Sequence, residues 1–296
     1  MYCSLGICLI FKEAFYNSMA IITEEIDQIL REFLCDYTQN SFGNQTLYDM
    51  CTKGNMSIRE KLADEIWLIG RSYAASPERR FSEREGELSR GRGTGDYFSH
   101  IAKSLVDDNK YIKLCEKISK IRAVEFDRTK QDYLIIDQII QCTNELNQYI
   151  KSASKKFDET NNEDIDFQNT GYKNQISFCS KFLHFQKPKT FFIIDQYTME
   201  GAKQLFVPSC RKKVKLRTES IRKEIRELFK EKLCAASDNA NHKFPRDDEM
   251  KNYILHLERS YALGCVLKDI EERFSISKGV EISYPRLTDI IFQHVI

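Results

Sequence analysis

Two side chains in this sequence have the types and spacing to do covalent chemistry together. Lys181 offers an amine and Asp195 a carboxylate, both within the segment 175–202, Gln-Ile-Ser-Phe-Cys-Ser-Lys-Phe-Leu-His-Phe-Gln-Lys-Pro-Lys-Thr-Phe-Phe-Ile-Ile-Asp-Gln-Tyr-Thr-Met-Glu-Gly-Ala. A neutral lysine amine is a nucleophile toward electrophilic carbon. An ionised carboxylate beside it can offset positive charge that develops on a sugar ring. On a helical wheel Phe178, Phe182 and Phe185 form one arc, extended by Cys179 and Leu183, with Lys181 at its edge and Ser177 and His184 on the more polar side. Aromatic surroundings strip water from an ammonium and disfavour its charged form. The same spacing suits a lysine that lays its stem on apolar surface and keeps its head in water.

The elements around this pair follow from the local pattern. The apolar run Phe191–Ile194 delivers Asp195 to the start of a helical pattern reaching Phe206. Aspartate is a favoured N-cap there, and the positive helix end keeps it ionised. Capping and charge stabilisation are compatible roles for one carboxylate. Upstream, Thr23 can cap a helix running to about Leu34, and Ser57 with Glu60 forms a capping box for a helix that Pro77 ends. That helix carries Leu62, Ile66, Trp67, Leu68 and Ile69, apolar nearly all round, which predicts a core position. Further helices are predicted at about 97–121, 129–156, 218–236 and 247–274, with a short last one from Pro285 to Phe292. Residues 82–95 read as an exposed loop rich in Arg, Glu and Gly. The polar stretch Asp158–Thr170 has little to bury and reads as a boundary or long surface loop. Strand signals are weak, so the chain is expected to be mainly α.

Composition bounds the rest. A chain of 296 residues with 42% apolar and 30% charged residues can bury a sizeable core. Only 12 Gly and 5 Pro argue against a sandwich or barrel with many turns. The net charge of +1 leaves room for a local basic face, which is what nucleic-acid contact requires. Ten cysteines, at 3, 8, 35, 51, 115, 142, 179, 210, 234 and 265, form no Cys-x-x-Cys pair and read as reduced residues of a cytoplasmic protein, with no metal site. His100, His242, His256 and His294 lack ligand spacing. Residues 1–18 are apolar at first but too short to span a bilayer, and read as a surplus leader ahead of Met19. No other stretch is fit to cross a membrane.

The lysine and aspartate carry a resemblance. The Ser-Lys pair followed by an apolar-apolar-Asp run resembles the helix-hairpin-helix DNA glycosylase superfamily, in particular its 8-oxoguanine DNA glycosylase/lyase branch. More closely, Ser180-Lys181-Phe182-Leu183-His184-Phe185 with Phe192-Ile193-Ile194-Asp195 resembles the 8-oxoguanine-glycosylase-like proteins of bacterial anti-phage operons, including those built around a cyclic-oligonucleotide synthase. The resemblance covers about 172–206. It implies a mainly α fold of two packed helical lobes; with the residue pattern, the chain divides into a leader at 1–18, an N-terminal helical region at 19–157, a polar loop at 158–171 and a C-terminal helical region at 172–296 that holds the motif.

It also implies roles. Lys181 would be the Schiff-base lysine that attacks the anomeric carbon and Asp195 the assisting aspartate, with no cofactor. The base would lie against Phe178, Phe185 and His184, and Trp67 and Arg71, four residues apart, could add a ring and a planar cation. Arginines of this kind also pair with carboxylates, and Glu78 and Glu83 stand near Arg79 and Arg80. Lys173 and the basic run Arg211-Lys212-Lys213 could track a DNA backbone, although charge runs are also common on solvated loops. The partners implied are DNA or a related nucleic acid and proteins of a defence complex. Two departures stand out. The family's Leu-Pro-Gly-x-Gly hairpin is missing, Gly171 being the nearby glycine, and the Lys181–Asp195 interval is about one helical turn short, which makes Lys173 a second-choice nucleophile. A catalytically inactive module on the same scaffold, binding nucleic acid, a modified base or a protein, is the alternative.

Overall fold

The computed structural model describes residues 46–52, 59–73, 77, 95–126, 133–161, 174–206, 248–274 and 283–294. The leader at 1–18, the Thr23 helix, Ser57, Arg79, Arg80, most of the 82–95 loop, Lys173, the basic run at 211–217 and the 218–236 helix lie outside them. The described residues are mainly helical and include no strand. In chain order the helices are α1 (46–52), α2 (Arg59–Ser72), α3 (Gly95–Val106), α4 (Asn109–Lys120), α5 (Tyr133–Asn161), α6 (Ile176–Gln186), α7 (Gln196–Phe206), α8 (Asp248–Phe274) and α9 (Tyr284–His294).

The motif helix α6 sits at the centre. It packs against α2 and α5 on one side and α8 on the other. Around the first side α2, α3, α4 and α5 pack on one another, and α7, α8 and α9 do so around the second. The aromatic arc explains this position, because Phe178, Phe182 and Phe185 are all buried with Cys179 and Leu183. A helix apolar over so much of its surface has to be enclosed. Its entry is set by α5: the Asn147 side chain accepts the Gln175 N–H at 2.7 Å and donates to the Asn174 carbonyl oxygen of the side chain at 3.2 Å. Its exit is set by Lys187, whose amine donates to the Ile118 and Ser119 carbonyls at 3.2 and 3.1 Å and also to Ile121. Those carbonyls end α4, where a lysine satisfies acceptors the helix leaves open.

Three sequence-based boundaries differ. The helix expected at 97–121 is broken, because Asp108 adopts an extended conformation and its carboxylate accepts the Lys110 N–H at 2.7 Å, capping α4 as a separate helix. The helix expected to end at 156 runs to Asn161, so the polar loop does not begin at 158. Phe157 explains the extension: it packs edge-on against Tyr97 and His100 of α3, and Asp158 beside it is also buried. The helix expected to reach Pro77 ends at Ser72. Its core placement holds for Leu62, Ile66 and Ile69, whereas Trp67 is 47% exposed.

Five described cysteines, Cys51, Cys115, Cys142, Cys179 and Cys265, are free thiols. None of the described helices is long and apolar enough to cross a membrane. At the crossing of α7 and α9, a Cβ added to Gly201 would stand 1.9 Å from the Phe292 carbonyl oxygen. The obstacle is backbone, so the helices would have to part. Gly201→Ala is therefore expected to destabilise the protein by about 3 kcal/mol, the upper end of overpacking costs, against a helix-propensity gain of about 1 kcal/mol. Urea unfolding followed by circular dichroism reads the change.

Candidate functional site

Lys181 projects from the middle of α6 and Asp195 stands immediately before α7, and the fold brings them together. The Lys181 Nζ lies 3.3 Å from Asp195 Oδ2, with the two side chains 3% and 18% exposed. The lysine head does not reach water, so the surface-lying arrangement that the spacing also allowed is not the one adopted. Two more acceptors meet the amine, the Tyr73 carbonyl and the Ser177 hydroxyl, both at 3.4 Å. Tyr73 follows the last turn of α2, where its N–H bonds back to Ile69. Its carbonyl is thus at the negative end of a helix, where a cation is favoured. The Tyr73 ring adds its face, with its centroid 5.6 Å from Nζ.

The carboxylate divides its two oxygens. Asp195 Oδ1 accepts the Thr198 N–H at 2.9 Å while the Thr198 hydroxyl oxygen accepts the Asp195 N–H at 2.9 Å, a reciprocal cap for α7. Oδ2 is left to face the lysine. Burial pushes the Lys181 pKa below the usual lysine range; the Asp195 charge and hydrogen bond oppose that shift, and the Arg286 guanidinium of α9 reinforces it. Arg286 itself pairs with Asp289 one turn on, buried, and Asp289 also accepts from Gln293 at 3.3 Å.

The flanking aromatic residues are committed to the interior. His184 is fully buried: Nδ1 donates to the Phe191 carbonyl at 2.7 Å, which leaves Nε2 to accept from the Tyr48 hydroxyl at 2.7 Å. That pairing fixes the neutral tautomer, and burial first, with the Arg286 charge, lowers its pKa to about 3. Phe185 lies between Tyr48 and Tyr73, with centroids 4.8 and 5.3 Å away. Phe178 packs against Phe182 at 5.9 Å. Trp67 and Arg71 stand on the exposed face of α2, away from its buried stripe of Leu62, Ile66 and Ile69, and join neither Lys181 nor Asp195. Lys173, Arg211, Lys212 and Lys213 lie outside the described residues. Among the described residues no group of His, Cys, Asp and Glu is placed to hold a metal ion.

Sequence reasoning missed Tyr48, Tyr73, Arg286 and Glu65, and His256, read as a core or surface histidine, is a core one. His256 is buried on α8, donates from Nε2 to the Ile193 carbonyl at 3.1 Å and leaves Nδ1 without a partner; burial lowers its pKa to about 4. Glu65 is fully buried on α2, where Oε2 accepts from Gln186 at 2.7 Å and Oε1 has no partner. An acidic residue among the apolar positions of a helix was the one sequence signal for it. Comparison of the chain with protein-family models, with curated proteins and with solved structures gave no match.

Glu65 makes stability depend on pH. Burial raises its pKa from an ordinary 4.5 to about 7, with Gln186 and Lys61 opposing and Asp64 adding to the rise. A raised carboxyl pKa means the folded chain holds a proton that the unfolded chain releases. Its stabilising effect is therefore complete below about 4.5 and is lost as pH rises to about 7. Glu65→Gln, which stays neutral, should flatten that decline and unfold at higher urea than the parent above neutral pH. Urea midpoints measured across a pH series check it.

Proposed function

We propose that the chain is a DNA N-glycosylase/AP-lyase of the helix-hairpin-helix DNA glycosylase type, acting on a modified or damaged base. The observation that carries this reading is the 3.3 Å approach of a buried lysine amine to a carboxylate that also caps the next helix. The lysine first loses a proton to Asp195 or to water. Its free electron pair then attacks C1′ of a nucleotide turned out of the stack. The glycosidic bond breaks and its electron pair leaves with the base, which takes up a proton. Asp195 offsets the positive charge on the sugar as that bond breaks, and ring opening yields a lysine–sugar iminium. Because Asp195 is the more exposed partner, substrate approaches from its side. The role in anti-phage defence rests on the likeness of the 180–185 and 192–195 motifs to glycosylase-like proteins of defence operons.

A second reading has its own support. Tyr73, Ser177 and Asp195 supply three acceptors, one for each hydrogen of a lysine ammonium, which is the arrangement a purely structural lysine would adopt. On that reading the scaffold is an inactive module that binds nucleic acid, a modified base or a protein partner.

Borohydride trapping on DNA carrying an abasic site or 8-oxoguanine separates the two. The glycosylase reading expects a covalent adduct whose modified peptide contains Lys181. It expects no adduct from Lys181→Gln, which keeps hydrogen-bond donors near Tyr73, and about a 100-fold slower reaction from Asp195→Asn. A parent protein that traps nothing, or undiminished trapping by Lys181→Gln, overturns it. DNA binding retained by Lys181→Gln together with absent trapping supports the module.

A further inference from the structure

A side chain that touches neither functional group joins the two segments that carry Lys181 and Asp195. Ser180 is fully buried on α6, and its Oγ accepts the Ile194 N–H at 3.1 Å while donating back to the Ser177 carbonyl at 3.0 Å. The Ile194 carbonyl is also within 3.4 Å. Ser180 immediately precedes the lysine in the chain and Ile194 immediately precedes the aspartate. One hydroxyl thus joins the two backbones a single residue away from each reactive side chain.

The other ties on this stretch act elsewhere. His184 holds the Phe191 carbonyl, His256 from α8 holds the Ile193 carbonyl, and Thr198 caps Asp195 from within α7. Of these described ties, the hydroxyl of Ser180 is the one from α6 that reaches the residue next to Asp195. Without it the Ile194 N–H is left in the interior with no acceptor, a loss that the segment can relieve only by moving.

We infer that Ser180 is a positioning residue that clamps Ile194 to α6 and thereby holds the Asp195 carboxylate against the Lys181 amine. The inference rests on the glycosylase reading for its importance to catalysis, but not for its geometry. The charged groups that act on Lys181 are Asp195 at the start of α7 and Arg286 on α9, of opposite sign. Loosening the clamp withdraws the carboxylate and leaves burial and Arg286 unopposed. The amine of a loosened variant therefore gives up its proton more easily.

Titration of the Lys181 side chain by NMR of carbon-labelled lysine, assigned by loss of the signal in Lys181→Gln, reads this without DNA. Ser180→Ala should move the Lys181 midpoint down by about one pH unit, a ~10-fold rise in neutral amine below the midpoint. Ser180→Thr, which keeps the hydroxyl, should restore it. Ser180→Cys, close in volume with a weaker acceptor, should fall between and serves if the alanine variant does not fold. A midpoint unchanged in Ser180→Ala or Ser180→Cys, with the parent's circular dichroism, overturns the inference. In borohydride trapping the loosened variant should show its acid limb shifted the same way with a maximal rate lowered about 10-fold. A parent that traps nothing while the NMR shift is present would reject the glycosylase reading and leave the clamp standing.

Discussion

A buried ammonium must have each of its hydrogens met, and that constraint organises the middle of this protein. Taking a lysine head out of water costs several kcal/mol unless acceptors replace the lost solvent. Lys181 finds them in three places: the carbonyl of Tyr73 just after α2, the previous turn of α6 at Ser177 and the cap of α7 at Asp195. Two of these acceptors stand at helix ends, Tyr73 after α2 and Asp195 before α7. The Tyr73 contact therefore relieves the lysine and the C-terminal end of α2 together, while the start of α7 is capped separately by Asp195 Oδ1 accepting the Thr198 N–H.

What makes the lysine tolerable in the interior also decides its chemistry. Burial and Arg286 push the proton off the amine, and Asp195 holds it on. Burial is the largest of these influences and leaves the pKa lowered, so withdrawing the carboxylate would lower it further. The cap limits that displacement, since Oδ1 is engaged by the Thr198 amide while Oδ2 faces the amine. A carboxylate with one oxygen fixed can rotate its other oxygen only through a narrow arc. The site is rigid where charge is placed and adjustable where the proton is held.

The meeting of Lys181 with Asp195 was legible because both residues interrupt strong local patterns. Lys181 stands beside an aromatic arc and Asp195 between an apolar run and a helix, and the central position of α6 follows from the same phenylalanines. The supporting side chains were not legible because they arrive from far along the chain. Tyr73 lies 108 residues from the lysine it meets, Tyr48 lies 136 from His184 and Glu65 lies 121 from Gln186. No local period encodes such meetings. The break at Asp108 is written locally, as an aspartate that caps the helical pattern following it. Trp67 failed in the opposite sense, because hydrophobicity alone does not say which face of α2 is enclosed. His184 read as a polar-side residue on the wheel, yet both its nitrogens are engaged inside the fold, as burial of an imidazole demands.

The missing hairpin bears on how any nucleic acid would be held. A Gly-rich turn ahead of the lysine would offer free backbone amides to a phosphate. Here the amide that enters α6, at Gln175, already donates to Asn147 of α5, and Asn147 is further braced by Asn174, which Lys151 also contacts. That amide is engaged in fixing α6 and is withdrawn from any ligand. The helix is thus anchored to its neighbour by a side chain, which secures Lys181. On the glycosylase reading, any phosphate contact made by side-chain cations would weaken as salt rises. The lysine–aspartate pair is accordingly built into the core and braced there by neighbouring helices.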